Sequence, residues 1–132
     1  TSATSNVHIR SDGIMFMIGS ASKYKSDIQL LENEVEYSKR ILDLHPKSWI
    51  DKGEQERSDV RGRYYGVIAE DVEALGLSEY TTKNEDGELE SVQYDRLWTL
   101  LLPIIREQES EIKNLKQELA DLRSLLTERG VI

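Results

Sequence analysis

Ser20 and Lys25 are the two residues whose types and spacing could carry covalent chemistry. Ser20 follows Gly19, and the lysine comes five residues later in the segment SASKYK. A serine hydroxyl becomes a nucleophile when a nearby lysine accepts its proton, which requires a lysine whose pKa has been lowered by desolvation. Burial in a subunit interface could supply that desolvation. The same spacing also occurs by chance in solvated polar turns, so the spacing alone leaves both interpretations open.

Other kinds of reactive site are not predicted. The chain has no cysteine, and its two histidines, His8 and His45, lie far apart without a second ligand at metal-binding spacing. A disulfide framework and a metal site are therefore not expected. The sequence also contains no glycine-rich phosphate loop and no nucleophile elbow, so we expect no cofactor.

Composition limits the partners that the chain can have. Its 132 residues, of which 38% are hydrophobic, suffice for one modest core, part of which could be shared between subunits. The formal net charge of −8 repels phosphate backbones and anionic lipids, so neither nucleic acid nor a membrane is an expected partner. The longest near-apolar run, from Trp98 to Ile105, is much shorter than the ~20 residues of a membrane-spanning helix. The first residues lack the basic start and apolar stretch of a signal peptide.

The elements that would position Ser20 and Lys25 follow from the hydrophobic pattern. Alternation around the Asp12-Gly13 turn predicts a hairpin over residues 6–20, and two strands are only marginally stable alone in water. We therefore expect residues 1–19 to be the end of an upstream β structure, the alternative being an ordinary hairpin packed on its own domain. Residues 20–97 are predicted to form a small mixed α and β unit. Its predicted elements are a helix over 27–44, a strand over 47–51, a solvated loop over 51–63, a buried strand over 64–69, a helix over 70–75 capped by Gly76, and strands over 79–83 and 88–94.

The C-terminal part, residues 98–132, carries the strongest periodicity in the chain. Apolar residues recur there every seven positions in two rows, which is typical of a coiled coil, and Pro103 indicates a helix junction at which the coil begins. A helix packed only on its own domain is the alternative, but the middle unit is too small to cover this length. The mixture of Ile and Leu does not itself choose between two and three strands. The expected interface residues are Ile105, Gln108, Ile112, Leu115, Leu119, Leu122 and Leu126.

Four segments, in order, resemble the endosialidase-type intramolecular chaperone domains. Residues 19–28, GSASKYKSDI, look like the family motif S-D-x-R-x-K-x-D-I, and residues 44–49, LHPKSW, are similar to its L-x-P-x-x-F/W element. Residues 66–73, GVIAEDVE, resemble its G-x-I-A-Q-E-V-E element, and residues 92–97, VQYDRL, its V-D-Y-x-R-L element. The long C-terminal helix completes the pattern.

The resemblance implies an α+β fold whose C-terminal helix forms a parallel three-stranded coiled coil. It implies the end module of a phage tail fibre, tailspike or neck appendage, which trimerises, guides folding of the β-stranded fibre before it, and then releases itself. Ser20 would be the nucleophile, Lys25 the base, and Gly19, Ser20 and Ala21 the cleavage site. The partners would be two further copies and the upstream part of the same chain, in a virion precursor assembled in the bacterial host cytoplasm.

Ala21 departs from the family motif, which has an aspartate after the serine. A carboxylate at this position could hold the serine or the lysine in place, so its absence favours an alternative in which the chain is a trimerisation cap that stays attached. A Ser-Lys peptidase acting on other proteins is a further alternative, but no substrate pocket is indicated in so small a domain.

Overall fold

The structure, a computed structural model, describes residues 6–10 and 12–132. It is mixed α and β, with short antiparallel pairs and a long C-terminal helix, as the sequence predicts. Three two-stranded sheets join β1 to β2, β3 to β4, and β5 to β6. The strands are β1 (Asn6–Ile9), β2 (Met15–Ile18), β3 (Lys47–Trp49), β4 (Tyr64–Gly66), β5 (Thr81–Lys83) and β6 (Leu89–Val92). The helices are α1 (Glu34–Lys39), α2 (Lys52–Glu56), α3 (Ala69–Ala74), α4 (Tyr94–Leu97) and α5 (Leu101–Glu128).

The predicted N-terminal hairpin is confirmed. Strands β1 and β2 pair so that His8 lies opposite Phe16. Gly13 adopts a φ of +82° in the turn, where a side chain would be strained, and the Asp12 carboxylate accepts a hydrogen bond from the Ile14 amide at 3.1 Å. Most of the apolar hairpin side chains that the structure describes are exposed, so the hairpin buries little of its own surface.

The helix predicted over residues 27–44 is shorter than expected. Only α1 and a 3-10 turn at Arg40–Asp43 are helical, and the preceding residues are irregular. Asp27 and Asn33 have φ values of 51° and 50°, left-handed conformations that a right-handed helix cannot contain. The predicted end of the helix before Pro46 is confirmed.

The segment 51–63 is not entirely a loop, because it contains the one-turn helix α2. The Asp51 side chain accepts a hydrogen bond from the Glu54 amide at 2.8 Å, as an N-cap does. Glu54 itself is buried, and its carboxylate accepts hydrogen bonds from the Tyr64 hydroxyl and from the Arg61 amide. The strand predicted as buried, β4, is in fact largely exposed at Tyr64 and Tyr65.

The core of the middle unit lies between α3, the β5–β6 hairpin and the start of the C-terminal helical region. The Gly76 cap of α3 is confirmed by its φ of +74°, and the predicted β5–β6 hairpin is present. Partly buried side chains from α1 and from the segment before β3 pack on this cluster. The buried cluster comprises Val72, Leu77, Val92, Leu97 and Leu100.

Helix α5 has a docked first part and a projecting remainder. Pro103 and Ile104 are buried against the chain's own core, and the proline fits the first turn because its missing N–H would be unpaired there. Ion pairs from Lys39 to Glu107, at 2.9 Å, and from Arg106 to Glu34, at 3.1 Å, tie this part to α1. Helix α5 begins at Leu101, before the junction that was predicted at Pro103. In the described part of the chain, no helix combines the length and the apolar character needed to cross a membrane.

Candidate functional site

Ser20 and Lys25 are brought into direct contact by a short local turn. The segment Ser22–Tyr24 forms a 3-10 turn, in which the amides of Tyr24 and Lys25 donate to the carbonyl oxygens of Ala21 and Ser22. This turn reverses the chain after Ser20. As a result, the Lys25 Nζ atom donates to the Ser20 Oγ at 3.0 Å and to the Ser20 carbonyl oxygen at 2.7 Å. The two residues that the sequence singles out are thus within hydrogen-bond reach.

The same turn places an aromatic ring against Gly19. A Cβ atom added to Gly19 would lie 2.6 Å from Cδ2 and 2.7 Å from Cε2 of Tyr24. The Lys23 Nζ atom lies over the same ring, 5.0 Å from its centroid. Gly19 therefore has no space for a side chain while the ring keeps this position.

Ser20 and Lys25 line a groove between the hairpin and the middle unit. The groove has a volume of about 600 Å³. His8 on β1 and Asp95 on α4 meet in this groove, with 3.7 Å between His8 Nε2 and Asp95 Oδ2. Among the described residues, this histidine–carboxylate contact is the one of its kind that joins the hairpin to the middle unit, since the lysine and arginine ion pairs lie elsewhere.

Glu79 also lines the groove, and its carboxylate binds Tyr37. The Tyr37 hydroxyl donates to Glu79 Oε2 at 2.7 Å, and this bond lowers the pKa of Glu79. Burial, followed by the same hydrogen bond and the negative charge of Glu79, raises the pKa of Tyr37. The Glu79 carboxylate is thereby fixed toward α1.

The Ser20–Lys25 pair has the contact that proton transfer needs but is exposed in the single chain. An ammonium group that donates to two oxygens is held as a hydrogen-bond donor, whereas a base must offer a free electron pair. Removal of water from around the amine would favour its neutral form. Ala21 contributes only a methyl group beside this pair, so no carboxylate from that position can orient it.

The residues predicted for the trimer interface lie along one side of α5 and are mostly exposed in the single chain. The exposed fractions are 55% for Ile105, 49% for Ile112, 62% for Leu115, 50% for Leu119 and 52% for Leu122, while Gln108 is exposed and Leu126 half-buried. Pro103, predicted as the start of the coil, instead packs inward. In the described segments, no group of three or more His, Asp or Glu side chains could hold a metal ion.

Sequence reasoning missed the groove residues His8 and Asp95, and it also missed Tyr24, whose ring contacts Gly19. The first two belong to elements far apart in the chain, so no spacing rule could pair them. Tyr24 comes five residues after Gly19, just as Lys25 comes five residues after Ser20, so the same spacing could have indicated the contact of Tyr24 with Gly19.

Neither a scan against protein-family models nor a search of curated proteins finds a match to this chain.

Proposed function

We propose that this chain is a homotrimeric intramolecular chaperone module that releases itself by cutting its own backbone next to Ser20. The observation that carries the proposal is the contact between Lys25 Nζ and Ser20 Oγ at 3.0 Å. A lysine at this distance can take the hydroxyl proton once it has lost its own. The substrate is the chain itself, in a virion precursor assembled in the bacterial host cytoplasm.

The exposed seam of α5 supports self-association, which the proposed function makes trimeric. Large apolar residues at heptad spacing, half-exposed on a helix that projects from its own core, are unfavourable in water and are covered when helices associate in parallel. Three such helices would bring three copies of the groove, and of the hairpin before it, to the same end of the assembly. The interface is also the expected source of the desolvation that Lys25 lacks in one chain.

A chaperone role follows from the order of folding events. Long-range β pairing in a fibre is slow and exposes strand edges, whereas a local heptad helix forms quickly. Once three helices have associated, the three upstream chains are held at high effective concentration and in register. Cutting after the fibre has folded would then remove the module without disturbing the fibre.

The cutting step uses Ser20 on the carbonyl group that precedes it. Attack of Oγ on the Gly19 carbonyl carbon closes a five-membered ring, whereas attack on its own carbonyl would need a strained four-membered ring. Lys25 takes the hydroxyl proton and returns it to the Ser20 nitrogen as the peptide bond breaks and an ester forms. Water then hydrolyses the ester, leaving a carboxylate on Gly19 and a free amine and hydroxyl on Ser20.

Introducing a carboxylate at position 21 tests the proposal. The Ala21→Asp variant of the full chain should yield two fragments on folding, the larger of which begins at Ser20, as mass spectrometry would show. Adding Ser20→Ala or Lys25→Ala should abolish cutting and leave the oligomer intact, because neither residue lies in the seam. An Ala21→Asp chain that stays whole in a folded trimer, or that cuts without Lys25, would contradict the assignment.

A trimerisation cap that stays attached is the second candidate. It is favoured by Ala21 and by the hydrogen bond from Lys25 to the Ser20 carbonyl oxygen, which holds the lysine as a donor. The same mass measurement separates the candidates, since a cap remains a trimer of uncut chains in every variant. A peptidase acting on other proteins would instead degrade an added unfolded substrate, and the proposed module should not.

A further inference from the structure

We infer that the Tyr24 ring forms a seat for Gly19, in the space that a side chain at position 19 would occupy, and thereby positions the Gly19–Ser20 peptide bond for Ser20. This inference rests on the proposed function for its catalytic consequence. Its structural part, the fit of the ring to Gly19, stands on the geometry of the uncut chain.

The seat is defined by two ring atoms and the glycine. A Cβ on residue 19 would approach Tyr24 Cδ2 to 2.6 Å and Cε2 to 2.7 Å, distances well inside van der Waals contact. Gly19 has no positive φ, so its backbone conformation is open to other residues. The preference for glycine here is therefore set by the ring and not by the backbone, and the ring of Tyr24, a residue that is 67% exposed, would have to turn away to admit a side chain.

The seat and the Ser20–Lys25 contact are built from one turn. Tyr24 is the last residue of the 3-10 turn and Lys25 follows it, so the ring meets Gly19 while the ammonium meets Ser20. The two residues of the proposed scissile bond are thus each held by a partner five positions later.

The contact between the Tyr24 ring and Gly19 would assist the cutting step. Oγ must reach the carbonyl carbon of Gly19, and misplacement of reacting atoms by about 1 Å can slow a reaction by a factor on the order of 100. An unrestrained glycine is the most flexible residue available, so a peptide bond that begins with glycine needs an external support. Tyr24 is a positioning residue that supplies this support from one side.

Paired substitutions test the seat in the Ala21→Asp background of the full chain. Gly19→Ala and Tyr24→Ala should each slow cutting about tenfold or more, and the double variant should cut no slower than the slower single variant, because both changes remove the same contact. Tyr24→Phe is the matched control. It keeps both contacting ring carbons and should cut within about twofold of its parent.

A measurement on the uncut chain separates this inference from the proposed function. The Gly19 Hα protons should show an upfield ring-current shift in the NMR spectrum that persists in Tyr24→Phe and disappears in Tyr24→Leu. If Ala21→Asp never cuts, the proposed function fails, and this shift alone decides whether the seat exists. Gly19→Ala cutting at the parental rate, strictly additive effects of the two changes, or an unshifted Gly19 would overturn the inference.

Discussion

At the scale of single residues, the candidate site is local in origin. One 3-10 turn creates the contacts of Lys25 with Ser20 and of Tyr24 with Gly19, so their spacing was visible in the sequence. The protonation state that chemistry requires was not visible, because desolvation depends on which groups surround the lysine. In the single chain the lysine remains exposed. Activation of the pair is therefore expected to depend on assembly.

The hydrogen bond between Tyr37 and Glu79 gives a pH prediction at the same scale. The lowered pKa of Glu79 contributes stability above the unfolded-state value of ~4.3, which is lost as the pH falls through the lower folded-state value. The raised pKa of Tyr37 contributes stability below its unfolded-state value of ~10, which is lost as the pH rises beyond it. Tyr37→Phe should thus lower the melting temperature most near neutral pH.

Thermal denaturation of Tyr37→Phe and its parent across the pH range checks this expectation. The difference between the two melting curves should narrow in acid and again in strong alkali. Tyr65→Phe is the control, because Tyr65 is largely exposed and should give curves that coincide with the parent. A Tyr37→Phe difference that does not vary with pH would show that the hydroxyl contributes through packing alone.

At the scale of elements, the capping of α2 can be tested. Asp51→Ala removes the acceptor of the Glu54 amide and should lower the free energy of unfolding by about 1 kcal/mol. Asp59→Ala is the control, because it removes a carboxylate from an exposed ion pair with Arg61 at 3.2 Å. This variant should change the free energy of unfolding by at most about 0.5 kcal/mol. Chemical denaturation measures both. Equal effects of the two variants would mean that the Asp51 cap contributes no more to stability than an exposed ion pair.

The errors of sequence interpretation at this scale have physical causes. The charged segment 51–63 looked solvated, yet Glu54 is buried there, because a tyrosine hydroxyl and a backbone amide satisfy its carboxylate. Residues 27–33 fit a helical pattern, but left-handed backbone at Asp27 and Asn33 interrupts it. The hairpins and α5 were predicted well, since turn residues and a sustained heptad repeat are strong local signals.

At the scale of the whole molecule, the seam of α5 predicts self-association, and the proposed function makes the assembly a trimer. The chain should sediment at about three times its mass of 15.2 kDa, because association covers the exposed heptad residues. Leu115→Asp combined with Leu119→Asp should dissociate the trimer, since each change places like charges together in a desolvated layer. A monomer at micromolar concentration for the unmodified chain would contradict the architecture.

Leu122 and Leu125 provide a matched pair for the same question. They are similarly exposed, at 52% and 45%, but only Leu122 lies in a heptad row. Leu122→Asp should therefore weaken association strongly, whereas Leu125→Asp, which flanks the seam, should weaken it much less. Sedimentation over a dilution series measures the difference. Equal effects would mean that α5 associates through a different face.

The trimer and the local turn together predict how the reaction is shared among chains. Lys25 contacts Ser20 of its own chain, so each chain should carry a complete pair, and neighbours should supply only desolvation. Cutting of Ala21→Asp should then have a rate constant independent of protein concentration once trimers have formed.

A mixing experiment decides between pairs within one chain and pairs shared between chains. Ala21→Asp chains that also carry Ser20→Ala are folded together with Ala21→Asp chains that also carry Lys25→Ala, one of the two bearing a mass tag. Native mass spectrometry establishes that mixed trimers have formed. Because neither chain has both members of the pair, we expect every chain to remain whole. The positive control uses mixed trimers in which some chains carry only Ala21→Asp, and therefore keep both members of the pair, while the others also carry Ser20→Ala. Each chain that keeps both members should be cut once. Fragments from the first mixture would mean that the lysine of one chain serves the serine of another, which the contact at 3.0 Å within one chain argues against.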